Sequence, residues 1–192
     1  MNNRVAVIIA GGKSSRMKQD KALLPFGGFS TLSEYQYQRL LGYFDKIYLS
    51  AKDNKFDFSV EIIEDRYSLS SPLVAIASIF ETLEEVDEVF LLSVDTPFVS
   101  LETIERLYQE AKFSKTDVIL AKSKRTVEPL CAIYRRAVLP LAQEFLAKDK
   151  HRLQSFIDKL NSTTVMFENE KEFTNLNHPQ EYKEACFKKG SS

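Results

Sequence analysis

Tryptophan is absent from this chain of 192 residues, cysteine occurs twice, and glycine and proline occur six times each. The cysteines, Cys131 and Cys186, lie far apart, so neither a metal knuckle nor a redox pair is suggested. Thiols this sparse fit a reducing, cytoplasmic setting. Repeats, low-complexity tracts and long linkers are missing, so one domain over 1–189 is expected, with Gly190-Ser191-Ser192 read as a tag remnant. Neither sign of charge is in excess: 26 Lys and Arg face 27 Asp and Glu, a formal net charge of −1. Without a global basic field no nucleic-acid partner is expected, and any anion must be held by local charge. Long apolar runs are also lacking. The first breaks at Gly11-Gly12-Lys13, too early for a signal-peptide core, and no later run reaches a membrane span. A membrane partner is therefore not expected.

What is present is a rhythm of strand-type and helix-type segments. Strand patterns fall at 5–10, 46–51, 60–64, 88–94, 117–121, 128–134 and 163–167. Helical spacing marks 32–44, a helix opening at Pro72, one capped by Ser100, and others at 138–146, 153–160 and 179–187. Segment 88–94 (Glu-Val-Phe-Leu-Leu-Ser-Val) is the most apolar strand-type run after the first, as in strands covered on both faces. The alternation predicts an α/β fold: a three-layer αβα, Rossmann-like architecture with a mostly parallel sheet. In such sheets ligands gather beyond the carboxyl ends of the strands. The residues to inspect are thus 11–21, 50–52, Asp65 and Asp95.

The first of these is the richest. A buried-type strand runs straight into Gly11-Gly12-Lys-Ser-Ser-Arg16 and on to Asp20-Lys21. The adjacent glycines are expected to give φ > 0 and close backbone approach to a ligand. Arg16 and Lys21 bring fixed positive charge to the same place, a combination suited to a triphosphate cradled by backbone N–H groups. The spacing matches neither a Walker A loop nor a Gly-x-Gly-x-x-Gly dinucleotide turn.

Asp95 follows the apolar strand and precedes Thr96-Pro97. A carboxylate there can hold Mg²⁺, a hard cation that takes oxygen ligands, or it can cap the turn before Pro97. Asp65 can accept hydrogen bonds from a nucleobase or ribose, or stand solvated in its loop. Ser50 is small and polar at a strand end and can reach a base edge. Asn175 and Asn177, two apart, fall on the same face of an extended segment. Either amide oxygen can complete a Mg²⁺ shell with Asp95, although Asn177 is equally an N-cap for the last helix. His178 reads as a surface residue. The cluster Lys148-Asp-Lys-His-Arg152 is either a solvated helix end or a seat for a second, anionic substrate.

These stretches together resemble one family. Ile9-Ala-Gly-Gly-Lys-Ser-Ser-Arg-Met17, Asp20-Lys21-Ala-Leu-Leu24, Ile63-Glu-Asp65, Ser71-Pro-Leu73, Asp95-Thr-Pro-Phe98, Glu128-Pro-Leu-Cys-Ala-Ile-Tyr134 and Asn175-Leu-Asn-His-Pro179 are collinear with the molybdenum cofactor guanylyltransferases, in the nucleotidyltransferase superfamily. The resemblance implies transfer of GMP from GTP to the terminal phosphate of molybdopterin, with Mg²⁺ as cofactor. It implies nucleotide contacts from Ile9, Ala10, Gly11, Gly12, Ser50, Asp65 and Ser71. Lys21 is then a phosphate ligand, Arg16 the loop arginine, and Asp95 a ligand of both GTP and Mg²⁺, with Asn175 and Asn177 near the metal. Arg152 and its basic neighbours are the candidates for holding the pterin. A monomer that hands its product to acceptor molybdoenzymes or their chaperones would follow. Departures from the family pattern lie at Ser50, where Asn is common, at Ser71 and Ala75, where glycines are common, and at Lys18, where Gly is usual. A sister transferase using CTP on the same cofactor, or a non-catalytic nucleotide-binding protein, are the rival readings.

Overall fold

The structure, a computed structural model, describes residues 4–11 and 19–190, with side chains through Phe187. Gly12 and Arg16, both expected at the phosphate site, lie outside the described residues.

Seven strands form a single sheet in the order β3-β2-β1-β4-β6-β5-β7. They are β1 (Val5–Ile9), β2 (Lys46–Ala51), β3 (Glu61–Glu64), β4 (Glu88–Ser93), β5 (Val118–Lys122), β6 (Val127–Arg135) and β7 (Ser162–Met166). β1 pairs in parallel with β2 and β4, as do β2 with β3 and β5 with β7. Only β6 runs against its neighbours β4 and β5. The helices are α1 (Leu32–Leu40), α2 (Pro72–Thr82), α3 (Leu101–Phe113), α4 (Leu139–Ala147), α5 (Leu153–Ile157) and α6 (Pro179–Gly190).

Alternation along the strands explains the three layers. In β1, Ala6 and Ile8 point into one core while Val5, Val7 and Ile9 point into the other. In β4, Phe90 and Leu92 part from Val89 and Leu91 in the same way. The first core is roofed by α1, α3 and α6 through Leu32, Leu40, Ile104, Leu107 and Ala185. The second is roofed by α2, α4 and α5 through Ile76, Phe80, Ala142, Phe145 and Phe156. Each fully buried Leu, Ile or Phe contributes about 1.5–3 kcal/mol. These strands are apolar on both sides because they have two cores to fill.

Where β6 ends, two adjacent arginines lock a helix on each face. The Arg135 guanidinium donates to the carbonyls of Ala111 (2.7 Å), Ser114 (2.9 Å) and Thr116 (2.8 Å) at the end of α3. That of Arg136 donates to Phe80 (2.8 Å), Val86 (3.1 Å) and Leu83 at the end of α2. Cations there satisfy orphan carbonyls and oppose the negative end of the helix dipole.

The expected helix over 32–44 is shorter. It stops at Leu40 because Gly42 turns the chain at φ +81°. Phe44 is thereby released from the helix to stack on Phe90, with ring centroids 5.7 Å apart. Short 3₁₀ turns at Lys21–Leu23, Arg136–Val138 and Glu170–Phe173 carry no periodicity and were not foreseen. The last helix continues to Gly190, into the stretch set aside as a tag remnant.

Candidate active site

The carboxyl ends of β1, β2, β3 and β4 open on one edge of the sheet, and Asp95 stands near its middle. Val94 continues the β4 ladder, its N–H donating to the Ile9 carbonyl at 3.1 Å. The chain then turns at once, with the Thr96 N–H and hydroxyl both donating to the Ser93 carbonyl (3.3 and 2.9 Å). Asp95 is left 8% exposed, with Oδ1 accepting from the Ser93 hydroxyl at 2.6 Å. This bond orients the carboxylate rather than merely capping the turn.

Oδ2 of Asp95 is ion-paired with the Lys21 ammonium. The same ammonium donates to Asn177 Oδ1 at 2.7 Å. Lys21 opens the 3₁₀ turn Lys21–Leu23, whose N-cap Asp20 accepts from the Ala22 N–H at 3.0 Å. Oxygens from two remote segments thus converge on one cationic position. Asn177 does not cap α6. Glu181 does so from inside the helix, accepting from the N–H groups of Asn177 and His178 at 2.7 Å each. The Asn177 side chain is left available to Lys21, and His178 is exposed, as its sequence position suggested. Asn175 lines the same cavity as Asn177 and Asp95, its amide donating to the Phe173 carbonyl at 3.4 Å. Between the two, Leu176 is buried and donates its N–H to the Asp95 carbonyl at 2.9 Å.

On the β2 side of Asp95, Ile9 and Ala10 are buried, and the Ala10 N–H donates to the Ser50 carbonyl at 2.9 Å. Gly11 does not adopt the positive φ expected of it; among the described residues the glycines that do are Gly27, Gly28 and Gly42. The chain leaves β1 in a conformation open to any residue, and a Cβ on Gly11 would meet Ala51 Cα at 3.6 Å, an ordinary contact. Its value is a bare backbone surface at the strand end. The Ser50 hydroxyl is 1% exposed and has no hydrogen-bond partner among the described residues. A buried polar atom in that state calls for an explanation, and a ligand is the simplest one.

Asp65 begins where the β3 ladder ends, its N–H donating to the Ala51 carbonyl at 3.1 Å. Burial pushes its carboxyl pKa up, while a 2.5 Å hydrogen bond from Ser70 and the charge of Lys52 oppose the rise. Ser71 is the N-cap of α2, accepting from the Val74 N–H at 3.2 Å, and its hydroxyl also bonds His151 Nδ1 at 3.1 Å. That contact brings the basic stretch 148–152 to the same rim. Arg152 itself is exposed, between His151 at Ser71 and Leu153 in the cavity wall.

Three residues at the site were given no role from sequence. Lys55 reaches the end of β1, 3.4 Å from the Ala10 carbonyl, and pairs with Asp20. Nothing in Lys52-Asp-Asn-Lys55 announces this. Gln36 of α1 is fully buried beneath Asp95, donating to the carbonyls of Ser93 (3.3 Å) and Val94 (3.2 Å). A polar residue inside a helix's apolar stripe is the signal that was available. Glu128 belongs to a cavity of about 320 Å³ on the β6 side of Asp95, which Asp95, Asn175 and Asn177 also line. Among the described residues, no group of three or more His, Cys, Asp or Glu is placed to hold a metal ion, and no helix is long and apolar enough to cross a membrane.

Comparison with known proteins matches residues 6–164 to the family described as MobA-like NTP transferase domain. The chain is 35% identical over 199 residues to a molybdenum cofactor guanylyltransferase of Helicobacter pylori strain G27, covering 100% of this chain and 97% of that one. A protein of the same name from Campylobacter jejuni subsp. doylei is 34% identical, with 95% of each chain covered. Among solved structures, molybdopterin-guanine dinucleotide biosynthesis protein A from Archaeoglobus fulgidus superposes with a TM-score of 0.84 at 19% identity, covering 98% of this chain and 100% of that one. That likeness is one of fold, and it agrees with the three-layer, mostly parallel architecture read from the sequence. By the family match and the full-length identity, this chain belongs to the MobA-like NTP transferases.

Proposed function

We propose that this protein transfers GMP from GTP to the terminal phosphate of molybdopterin, releasing pyrophosphate. The observation that carries the reading is the meeting of Lys21, Asp95 and Asn177 at the strand ends, in a chain whose full-length relatives are named guanylyltransferases.

The chemistry asks for positioning and charge rather than covalent help. A phosphate oxygen of the acceptor forms the new bond to the α-phosphorus of GTP. The bond from that phosphorus to the bridging oxygen breaks, and its electron pair leaves with pyrophosphate. A phosphate monoester is already ionised near neutral pH, so no side chain need remove a proton. Lys21 neutralises the triphosphate and the charge that builds on the leaving group. The backbone from Ile9 to Gly11, Ser50, Asp65 and Ser71 hold the nucleotide, with Gly12 and Arg16 assigned to its phosphates from sequence.

The oxygen set fits Mg²⁺. One carboxylate and one or two amide oxygens suit a hard cation that keeps several waters and shares phosphate oxygens with its substrate. The Lys21 ammonium lies between Asp95 Oδ2 and Asn177 Oδ1, which supports this reading. Asp95 would hold the ion, with Asn177 or Asn175 beside it, and Lys21 would turn to the phosphates. When bound, Mg²⁺ would neutralise phosphate charge and polarise the α-phosphorus.

The test is pyrophosphate release from the purified protein mixed with molybdopterin, Mg²⁺ and each of GTP, CTP, ATP and UTP in turn. Release with GTP above the others is expected. Release with CTP alone would move the assignment to a cytidylyltransferase, and none with any nucleotide would end it.

A further inference from the structure

The reversed strand β6 places its beginning, not its end, at the edge where β1 and β4 finish. Glu88 at the start of β4 pairs with Arg135 at the end of β6, and Leu92 near the end of β4 with Cys131, so residues 127–130 lie at and beyond the end of β4. On its other side β6 is irregular. Leu120 of β5 pairs with Ala132, but Ala121 pairs with Glu128. Pro129, Leu130 and Cys131 therefore leave the β5 ladder as a bulge, and Pro129, paired with neither β4 nor β5, sits where proline's missing N–H does no harm.

The bulge is pinned. Tyr134, fully buried, donates its hydroxyl to the Pro129 carbonyl at 2.9 Å. Glu128 is steadied by the Thr126 hydroxyl, which donates to Oε1 at 2.6 Å. No hydrogen bond to Oε2 occurs among the described residues. Glu128 through Cys131 all face the 320 Å³ cavity, with Leu153 and Phe173 completing an apolar wall. Bulges beside active sites re-aim side chains, and an apolar slot with few polar groups is how small flat ligands are held.

We propose that Glu128 is the specificity residue for the second substrate, accepting a parallel pair of N–H donors from a pterin-type ring seated against Pro129, Leu130, Leu153 and Phe173. This rests on the functional reading above. A pterin carries adjacent N3–H and 2-amino donors, the pattern that a carboxylate accepts through two oxygens. Guanine of GTP carries a similar pair, but strand order argues for the acceptor. Ile9, Gly11, Ser50 and Asp65 lie in or just beyond β1, β2 and β3 on one side of β4, whereas β6 lies on the other. Asp95 stands between them, where the two phosphates must meet. Burial also pushes the Glu128 carboxyl pKa up, so the group gains from a donor pair that replaces lost water.

The probes are free pterin and lumazine, its 2-oxo analogue, which puts an acceptor where pterin has the amino group. Both are titrated by fluorescence against the full-length protein and against Glu128→Gln. The wild type is expected to bind pterin about tenfold or more tighter than lumazine, and Glu128→Gln to lose that preference. Calorimetry with GTP should give the same affinity for both proteins. Tyr134→Phe, which unpins the bulge without touching the ligand, should weaken pterin binding and leave GTP binding unchanged. Equal binding of pterin and lumazine by the wild type, no saturable pterin binding at millimolar concentration, or an unchanged preference in Glu128→Gln would overturn the proposal. Loss of GTP affinity in Glu128→Gln would overturn it too, by assigning the carboxylate to guanine. The functional reading fails separately, through absence of pyrophosphate release by the wild type.

Discussion

The two flanks of Asp95 are built differently. Toward β1, β2 and β3 the site consists of backbone and small polar groups at the ends of parallel strands: Ala10, Gly11, Ser50, Asp65. Toward β6 it consists of a bulged antiparallel strand that carries a carboxylate and an apolar wall. In the function proposed above, the first flank takes the polyanion. The second offers a shaped slot in which Glu128 is the carboxylate carried by the bulge itself. A two-substrate enzyme has reason for both, since a triphosphate is gripped by many N–H groups and cations, while a flat ring is distinguished by its edge.

The largest effect is expected at the boundary. Asp95→Asn keeps the shape and the acceptor for Ser93 Oγ but removes the charge that pairs with Lys21. Turnover should fall on the order of a thousandfold, while GTP and pterin still bind to their own flanks within a few-fold. Rates by pyrophosphate release and affinities by titration check this. Loss of either affinity to the same degree as turnover would mean that the flanks are not separable.

Lys21→Met should divide the flanks. Losing a charge-assisted contact to phosphate weakens GTP binding by between about ten- and a hundredfold, and pterin binding should not change. Calorimetric titration with GTP and Mg²⁺ that matched the wild type would remove Lys21 from the phosphates.

Gln36→Leu should act on both flanks together. Gln36 holds the carbonyls of Ser93 and Val94, and its Oε1 accepts from Arg39 Nε at 2.5 Å. Arg39 in turn braces the Val99 carbonyl at 2.6 Å, and burial holds its guanidinium pKa down. Leucine would take this partner from the Val94 carbonyl and from Arg39 Nε, while the Ser93 carbonyl keeps its two bonds from Thr96, lowering stability by about 1–3 kcal/mol in denaturant titration and shifting Asp95 enough to lower kcat. Unchanged stability would show that other donors take over the carbonyls.

The contrast between flanks also explains what the sequence disclosed. β2 was legible to its bounds, Lys46–Ala51, because its apolar alternation is local. So was the start of α2 at Pro72, because proline belongs in a first turn. The strand-end rule pointed to Ser50, Asp65 and Asp95 because it assumes parallel strands, and theirs are parallel. It passed over Glu128 because β6 is reversed, so the ligand edge meets its beginning. Direction and bulge are properties of pairing between distant segments, and no local pattern encodes them. Gly42 shows the same limit on a smaller scale: the helical spacing of Leu40, Leu41 and Phe44 continues past a residue whose positive φ ends the helix.

The smallest expected effect is the sharpest on the nucleotide flank. Ser50→Ala deletes a hydroxyl that is buried and without a partner among the described residues. An unpaired buried hydroxyl is a burden to the fold, so alanine should leave the melting temperature unchanged or raise it, by at most about 1 kcal/mol of added stability. If that hydroxyl waits for the nucleotide, the same change should weaken GTP binding several-fold, because the ligand atom it meets would be left unpaired in turn. Stability and affinity would then move in opposite directions from one deleted oxygen, which a purely structural serine would not produce. Pterin affinity should be untouched, since Ser50 and Glu128 lie on strands separated by β1 and β4. A Ser50→Ala protein with wild-type affinity for GTP would show that the nucleotide flank reads its ligand through backbone alone.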